Sequence, residues 1–269
     1  MGRFTNNNHE LHYWERGEGP LLIILPGATA SSAHYSGELN YFSENFRTVA
    51  LDFWGTGDSE RLAYWPDNWW KECASDVAAL IDHLGDEKAI ILGSSMGGLV
   101  ALLLAAMFPQ KVLGVVCESF TSNWSNLEDI VQKRSLKISD IIKQEKNIIK
   151  MIRRVMTIPG RIMFYRIGHG LDSRQIVQAD SDLLLRAGRK GIKPLDGKLA
   201  KVTCPVLFIA SRRDEVLLNI EEEQYQMASQ VKNSQVYIGG KGSHPFMWTR
   251  KDEFRQVTEE FIGKLIERS

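Results

Sequence analysis

Apolar residues fall along this chain in two registers, short unbroken runs and longer stretches where they recur at helical spacing, and the two alternate. Leu11 to Arg16 reads as a short strand and Gly17 to Pro20 as a turn. Pro20 to Leu25 is continuously apolar, as a strand covered on both faces of a parallel sheet would be. Helical spacing over Ser36 to Phe46 is followed by a second apolar strand, Thr48 to Phe53. Asp76 to Leu84 has helical spacing again, and Gly85 stops it. A further apolar run from Ala89 leads into an Ala- and Leu-rich buried helix, Leu99 to Phe108, and then into the strand Val112 to Cys117. Strands and helices in alternation predict an α/β fold with a mostly parallel, doubly wound sheet.

The alternation breaks after Ser119. From Asn126 to about Ala200 the periodicity is helical throughout, and a buried strand returns only at Pro205 to Ala210. A polar helix, a strand at Gln235 to Ile238 and an amphipathic helix at Phe254 to Ile266 complete the chain. The expected organisation is a core of residues 1–122 and 201–269, with residues 123–200 inserted before the last two strands as a helical cap, or lid. Between Gln132 and Arg166 the insertion carries ten Lys or Arg against Asp140 and Glu145, and Ile138, Ile141, Ile142, Ile149, Ile152 and Met156 recur at helical spacing. Such a basic amphipathic stretch fits either a solvated outer face over a packed stripe or a weak contact with an anionic surface or substrate.

At 269 residues with 43% apolar content the chain can bury a large core, and its 33 basic and 33 acidic residues leave no global charge to favour nucleic acid. The three cysteines, Cys73, Cys117 and Cys204, show no metal or redox spacing and read as buried free thiols of a reducing compartment. The amino terminus lacks an apolar signal region, so the expectation is a soluble cytoplasmic protein, monomer or dimer, that needs no cofactor and no metal.

The chemistry is concentrated at Gly93 to Gly97, Gly-Ser-Ser-Met-Gly, where a strand is handed straight to a helix at Ser95. A sharp turn flanked by small residues presents the Ser95 hydroxyl beyond the sheet edge. The backbone N–H of Met96 points to the same place from the positive end of the helix, where an oxyanion could form. Serine is a weak nucleophile until a base takes its proton, and imidazole is the side chain matched to that task. Among the histidines, His9 and His12 lie in the first strand region, His83 ends a helix and His169 is in the insertion. His244 follows the last strand in a Gly-Ser-His-Pro loop and is the candidate base.

Leu-Pro-Gly-Ala at 25–28, Asp-Phe-Trp-Gly-Thr-Gly-Asp-Ser at 52–59, Gly-Ser-Ser-Met-Gly-Gly at 93–98, Arg-Arg-Asp at 212–214 and Gly-Ser-His-Pro at 242–245 together resemble the α/β-hydrolase fold superfamily, of the capped, serine esterase-like kind, over nearly the whole chain. That resemblance implies Asp214 as the acid that orients His244, in the chain order Ser, Asp, His. Glu118, at the end of the preceding strand, is the alternative acid. It also implies a second backbone oxyanion donor at Ala28, although Pro26 stands where the superfamily often has histidine. Asp52 and its glycine-rich loop read as structural, with Trp54 as a candidate substrate contact. The leading expectation is a carboxylic ester hydrolase acting on a small acyl substrate. A carbon-carbon bond hydrolase or lyase on the same triad and a non-catalytic receptor are the rivals. Dehalogenase and epoxide hydrolase resemblances call for Asp where Ser95 stands.

Overall fold

The computed structural model describes residues 1–28, 30–62, 64–122, 183, 186, 187, 190, 192–217 and 219–267. The chain divides into two units, Met1–Ser122 with Lys193–Ser269, and Asn123–Ile192. The cap expected at 123–200, with its basic stretch, lies outside the described residues except for a few positions and its last part. There Leu199–Lys201 forms a 3-10 turn packed on the helix that follows Ser95.

Eight strands of the described residues form one sheet: β1 (Gly2–Asn6), β2 (His9–Arg16), β3 (Leu21–Leu25), β4 (Arg47–Leu51), β5 (Ala89–Ser94), β6 (Val112–Glu118), β7 (Val206–Ser211) and β8 (Ser234–Gly239). Their order is β1-β2-β4-β3-β5-β6-β7-β8. β1 and β2 pair antiparallel with each other, as do β2 and β4, and the remaining pairs are parallel. The helices are α1 (Ser36–Phe42), α2 (Trp69–His83), α3 (Met96–Met107), α4 (Ile220–Ala228), α5 (Phe246–Thr249) and α6 (Lys251–Ile266). This is the doubly wound, mostly parallel sheet that the alternating pattern implies.

β3, apolar throughout, and β5, apolar from Ala89 to Leu92, are buried at every position because helices cover both faces of the sheet. α3 packs against α2, β3, β5, β6 and the 199–201 turn, which is why it is apolar all round instead of on one stripe. Leu102, Leu103 and Leu104 are fully buried there, each stabilising the fold by about 1.5–3 kcal/mol. From β3 the chain winds to β4 on one side, and from β5 it winds to β6 on the other. The carboxyl ends of β3 and β5 therefore flank a topological switch point, where open α/β sheets bind ligands.

The main departures from the sequence expectation are at β1, α2 and α1. β1 carries one inward apolar residue, Phe4, and owes its strand to pairing with β2, so no alternating pattern announces it. α2 begins at Trp69 and not at Asp76, because Trp69 and Trp70 are buried anchors of its first turn. α1 ends at Phe42, and the polar residues Ser43, Glu44 and Asn45 close a turn through Ser43 N–H to Leu39 O and Asn45 N–H to Phe42 O.

Candidate active site

Ser95 stands between β5 and α3 with φ 52° and ψ −118°, a left-handed backbone that costs a non-glycine residue about 1–3 kcal/mol. The surroundings hold it there: Ser95 N–H donates to Glu118 O at 2.7 Å, and Gly98 N–H donates to Ser95 O at 2.8 Å. Both flanking glycines are required sterically. A Cβ on Gly93 would strike the carbonyl of Gly97, and one on Gly97 would strike the carbonyls of Leu25 and Pro26. Strand and helix thus cross too closely for any side chain but hydrogen, and Ser95 is left half-buried at the carboxyl edge of the sheet.

The loop after β3 comes to the same place. A Cβ built on Gly27 would lie 3.3 Å from Ser95 Cβ. Gly27 N–H donates to the Tyr35 hydroxyl at 2.9 Å, and Ala30 N–H donates to Gly27 O at 3.1 Å, so Ala28 sits in a tight turn beside Ser95. Met96 opens α3, where its N–H belongs to the unsatisfied first turn of the helix. Trp70 Nε1–H donates to Met96 Sδ at 3.0 Å and fixes that side chain.

His244 follows β8 and Asp214 follows β7, so the parallel pairing of these neighbouring strands delivers both loops to one edge. His244 Nδ1 is 2.9 Å from Asp214 Oδ2, and the Asp214 side chain is fully buried. The other carboxylate oxygen, Oδ1, accepts the N–H groups of Val216 and Leu217, each at 2.8 Å. With Nδ1–H donated to the carboxylate, Nε2 carries the lone pair and is the basic nitrogen of the ring. Ser211 Oγ ties the two loops together by donating to Gly242 O at 3.0 Å and accepting Arg213 N–H at 3.0 Å. Arg212 points away to an exposed ion pair with Glu221.

Glu118, also fully buried, does not take the place of Asp214 at the ring nitrogen. Its Oε2 accepts the Ser94 hydroxyl at 2.7 Å, and its Oε1 accepts Phe246 N–H at 2.6 Å, with Met247 N–H at 3.4 Å. Burial raises its pKa above the usual carboxylate range, opposed by the charge of His244 and by hydrogen bonds from Ser119, Ser94 and Met247. No motif marks this role; the sequence shows only an acid at a strand end.

The Trp54 indole stacks on His9 at 4.1 Å and 6°, and its carbonyl accepts Trp69 Nε1–H at 3.0 Å, which holds it against β2, on the other side of β4 and β3 from Ser95. His9 in turn pairs with Asp76 at 3.1 Å. His34, which no motif singles out, lies in the loop after β3 and accepts Ser31 N–H at Nδ1 at 3.1 Å. Among the described residues, His12, Asp52 and Asp58 bring ligand-type atoms within 4.8 Å of one another. Asp52 is already engaged, however, by Ser32 N–H at 2.6 Å, Asp58 N–H at 3.0 Å and His12 Nδ1 at 2.9 Å, the pattern of an anchor between two loops. No helix among the described residues is long and apolar enough to cross a membrane.

The sheet order, the strained turn at Ser95 and the two loops that meet after β7 and β8 define a protein class. Residues 20–147 match the alpha/beta hydrolase fold family, and the fold of the chain is the α/β-hydrolase fold. It is 28% identical over 121 residues to epoxide hydrolase 4 of Mus musculus, covering 44% of this chain and 33% of that protein. It is 33% identical over 123 residues to 2-(acetamidomethylene)succinate hydrolase of Mesorhizobium japonicum, covering 45% of this chain and 41% of that protein. The match thus spans well under half the length of these curated relatives. The fold is also that of the enol-lactonase from Burkholderia xenovorans, with a TM-score of 0.73, 19% identity, and coverage of 97% of this chain and 100% of the other.

Proposed function

We propose that this chain is a serine hydrolase that cleaves a carboxylic ester or a related small acyl substrate through an acyl-enzyme on Ser95. The observation that carries this reading is the 2.9 Å contact between His244 Nδ1 and the buried Asp214 carboxylate, at the sheet edge where Ser95 is held with positive φ. Ser95 Oγ attacks the substrate carbonyl while His244 Nε2 takes its proton, and the imidazolium is stabilised by Asp214. The tetrahedral oxyanion is held by the N–H groups of Met96 and Ala28. Collapse breaks the acyl bond to the leaving group, which departs with the proton from His244. Water then attacks the acyl-enzyme by the same route in reverse.

Two further points support hydrolysis of this type. The curated relatives named above are both hydrolases by name. The epoxide chemistry in one of those names calls for a carboxylate nucleophile, and a serine, Ser95, stands at the nucleophile position here. The test is a series of p-nitrophenyl esters of increasing acyl length, run beside fluorophosphonate labelling. Wild-type protein should be labelled at Ser95 and turn over at least one ester, and Ser95→Ala should lose both, with kcat falling about 10⁵-fold or more. Ester turnover by pure Ser95→Ala at the wild-type rate would end the proposal.

A further inference from the structure

Glu118 is a carboxylate with no solvent exposure at the end of β6, between the strand that leads to Ser95 and the loop that carries His244. On one side it takes the hydroxyl of Ser94, the residue before Ser95. On the other it takes the N–H groups of Phe246 and Met247, which follow His244 by two and three positions. The backbone carbonyl of the same residue accepts Ser95 N–H. Glu118 therefore grips the nucleophile turn through its main chain, its strand through one carboxylate oxygen, and the base loop through the other.

A neutral acceptor such as a glutamine carbonyl would satisfy those amides as well. Burying a full negative charge costs stability, so its presence calls for something that a neutral group would not supply. The charge acting most strongly on Glu118 is that of His244. The carboxylates that bear on His244 are Asp214, from the loop after β7, and Glu118, from β6; the other groups on Glu118 are the neutral hydroxyls of Ser94 and Ser119 and the two amides. In a site of low dielectric, a second anion favours imidazolium, the form His244 adopts when it takes the hydroxyl proton of Ser95.

We infer that Glu118 is a positioning residue: its carboxylate pins the His244 loop to the Ser95 strand and adds a second negative charge that steadies the imidazolium formed during acyl transfer. This rests on the serine-hydrolase reading above. Glu118 touches no reacting atom, so its removal acts on kcat and on the pH profile and leaves substrate binding alone.

The test is Glu118→Gln, which keeps the size and an acceptor for Phe246 while removing the charge. The variant, shown by its melting curve to be folded, should lose about tenfold or more in kcat on a p-nitrophenyl ester, with KM within about twofold. Without the second anion the imidazolium is less favoured, so the acid limb of kcat/KM should move to lower pH, by about one unit. Glu118→Asp restores the charge and should return the limb towards its wild-type position. Folded Glu118→Gln with a wild-type kcat and an unmoved limb overturns the inference. Should that variant not fold, Ser94→Ala carries the test: it removes one donor and leaves the charge, so kcat should fall about fivefold with the limb in place, and a wild-type kcat overturns the inference. A wild-type protein that neither turns over ester nor takes fluorophosphonate at Ser95 ends the serine-hydrolase reading itself. A labelled, active wild type beside an unmoved Glu118→Gln ends only the role of Glu118.

Discussion

The hydroxyl of Ser94 donates to Oε2 of Glu118 at 2.7 Å, and through the other oxygen of that carboxylate the strand before Ser95 is joined to the backbone just past His244. The candidate site is thus assembled from loops at the carboxyl ends of β3, β5, β6, β7 and β8, the β3 loop by close approach and the others through side-chain hydrogen bonds. Gly27 meets the Ser95 turn, Glu118 meets Ser94 and Phe246, and Asp214 meets His244. Side chains that must act together within a fraction of an ångström are better held by such cross-links than by the loops alone.

Asp214→Asn should fold and melt close to wild type but lose about 10³ to 10⁴-fold in kcat, because an amide at Nδ1 no longer favours the tautomer that leaves Nε2 basic. Steady-state kinetics on an activated ester read the loss; a decrease of less than about tenfold would mean that another group orients His244.

Glu118→Gln has a second, opposite consequence for stability. Burial raises the folded-state pKa of Glu118, so the folded protein holds that proton more tightly than the unfolded chain does. The stability this group contributes is complete below the ordinary carboxylate range and is lost as pH rises through the raised value. The difference in Tm between Glu118→Gln and wild type should therefore move in favour of the variant as pH is raised from about 4 to about 8. Thermal melts across that range check the sign, and a trend in the other direction contradicts it.

Gly97→Ala and Gly263→Ala should have effects of opposite sign. At Gly97 the new methyl group meets the Leu25 and Pro26 carbonyls, and the strand must separate from α3, which costs about 2 kcal/mol or more. Gly263 lies exposed in α6 with nothing within 4 Å of the added carbon, so alanine there should stabilise by about 0.5–1 kcal/mol through helix propensity. Urea unfolding of the pair measures both.

Asp52→Ala removes the acceptor for Ser32 N–H, Asp58 N–H and His12 Nδ1 together. Three donors, those of Ser32 and His12 buried, lose their partner, and the loss of unfolding free energy should be about 3 kcal/mol. A loss below about 0.5 kcal/mol in chemical denaturation would show that the loops after β3 and β4 do not depend on this anchor.

The thiols of Cys73, Cys117 and Cys204 are all buried and free. Burial pushes Cys204 up to about 11 and raises Cys73 and Cys117 well above the ordinary thiol value. None of the three should react with a disulfide reagent at neutral pH until the protein is unfolded. Rapid colour release from native protein would refute this.

Local chemistry made much of the molecule legible. The unbroken apolar runs at Leu21–Leu25 and Ala89–Leu92 announce strands buried on both faces, and Gly93 and Gly97 around Ser95 announce the close crossing of strand and helix, because each is a property of neighbouring residues. β1 escaped such reading, since one inward Phe4 makes no pattern and the strand exists only as a partner of β2. The early start of α2 at Trp69 was hidden for a related reason: its first turn is held by aromatic packing, Trp69 on Trp65 at 4.6 Å among others.

The sequence by itself determined that this is an alternating α/β chain with a strained serine at a strand-to-helix turn, because periodicity and glycine spacing act over a few residues. Only the tertiary structure decided which acid meets which partner. Glu118 ends β6 and Asp214 lies three residues past β7, and both stood as candidates for the acid in the sequence. The parallel register of β7 and β8 sets Asp214 against His244, while the position of β6 beside β5 turns Glu118 towards Ser94 and the Phe246 amide. Distances between loops far apart in the chain follow from how the sheet is ordered, and no local pattern encodes that order.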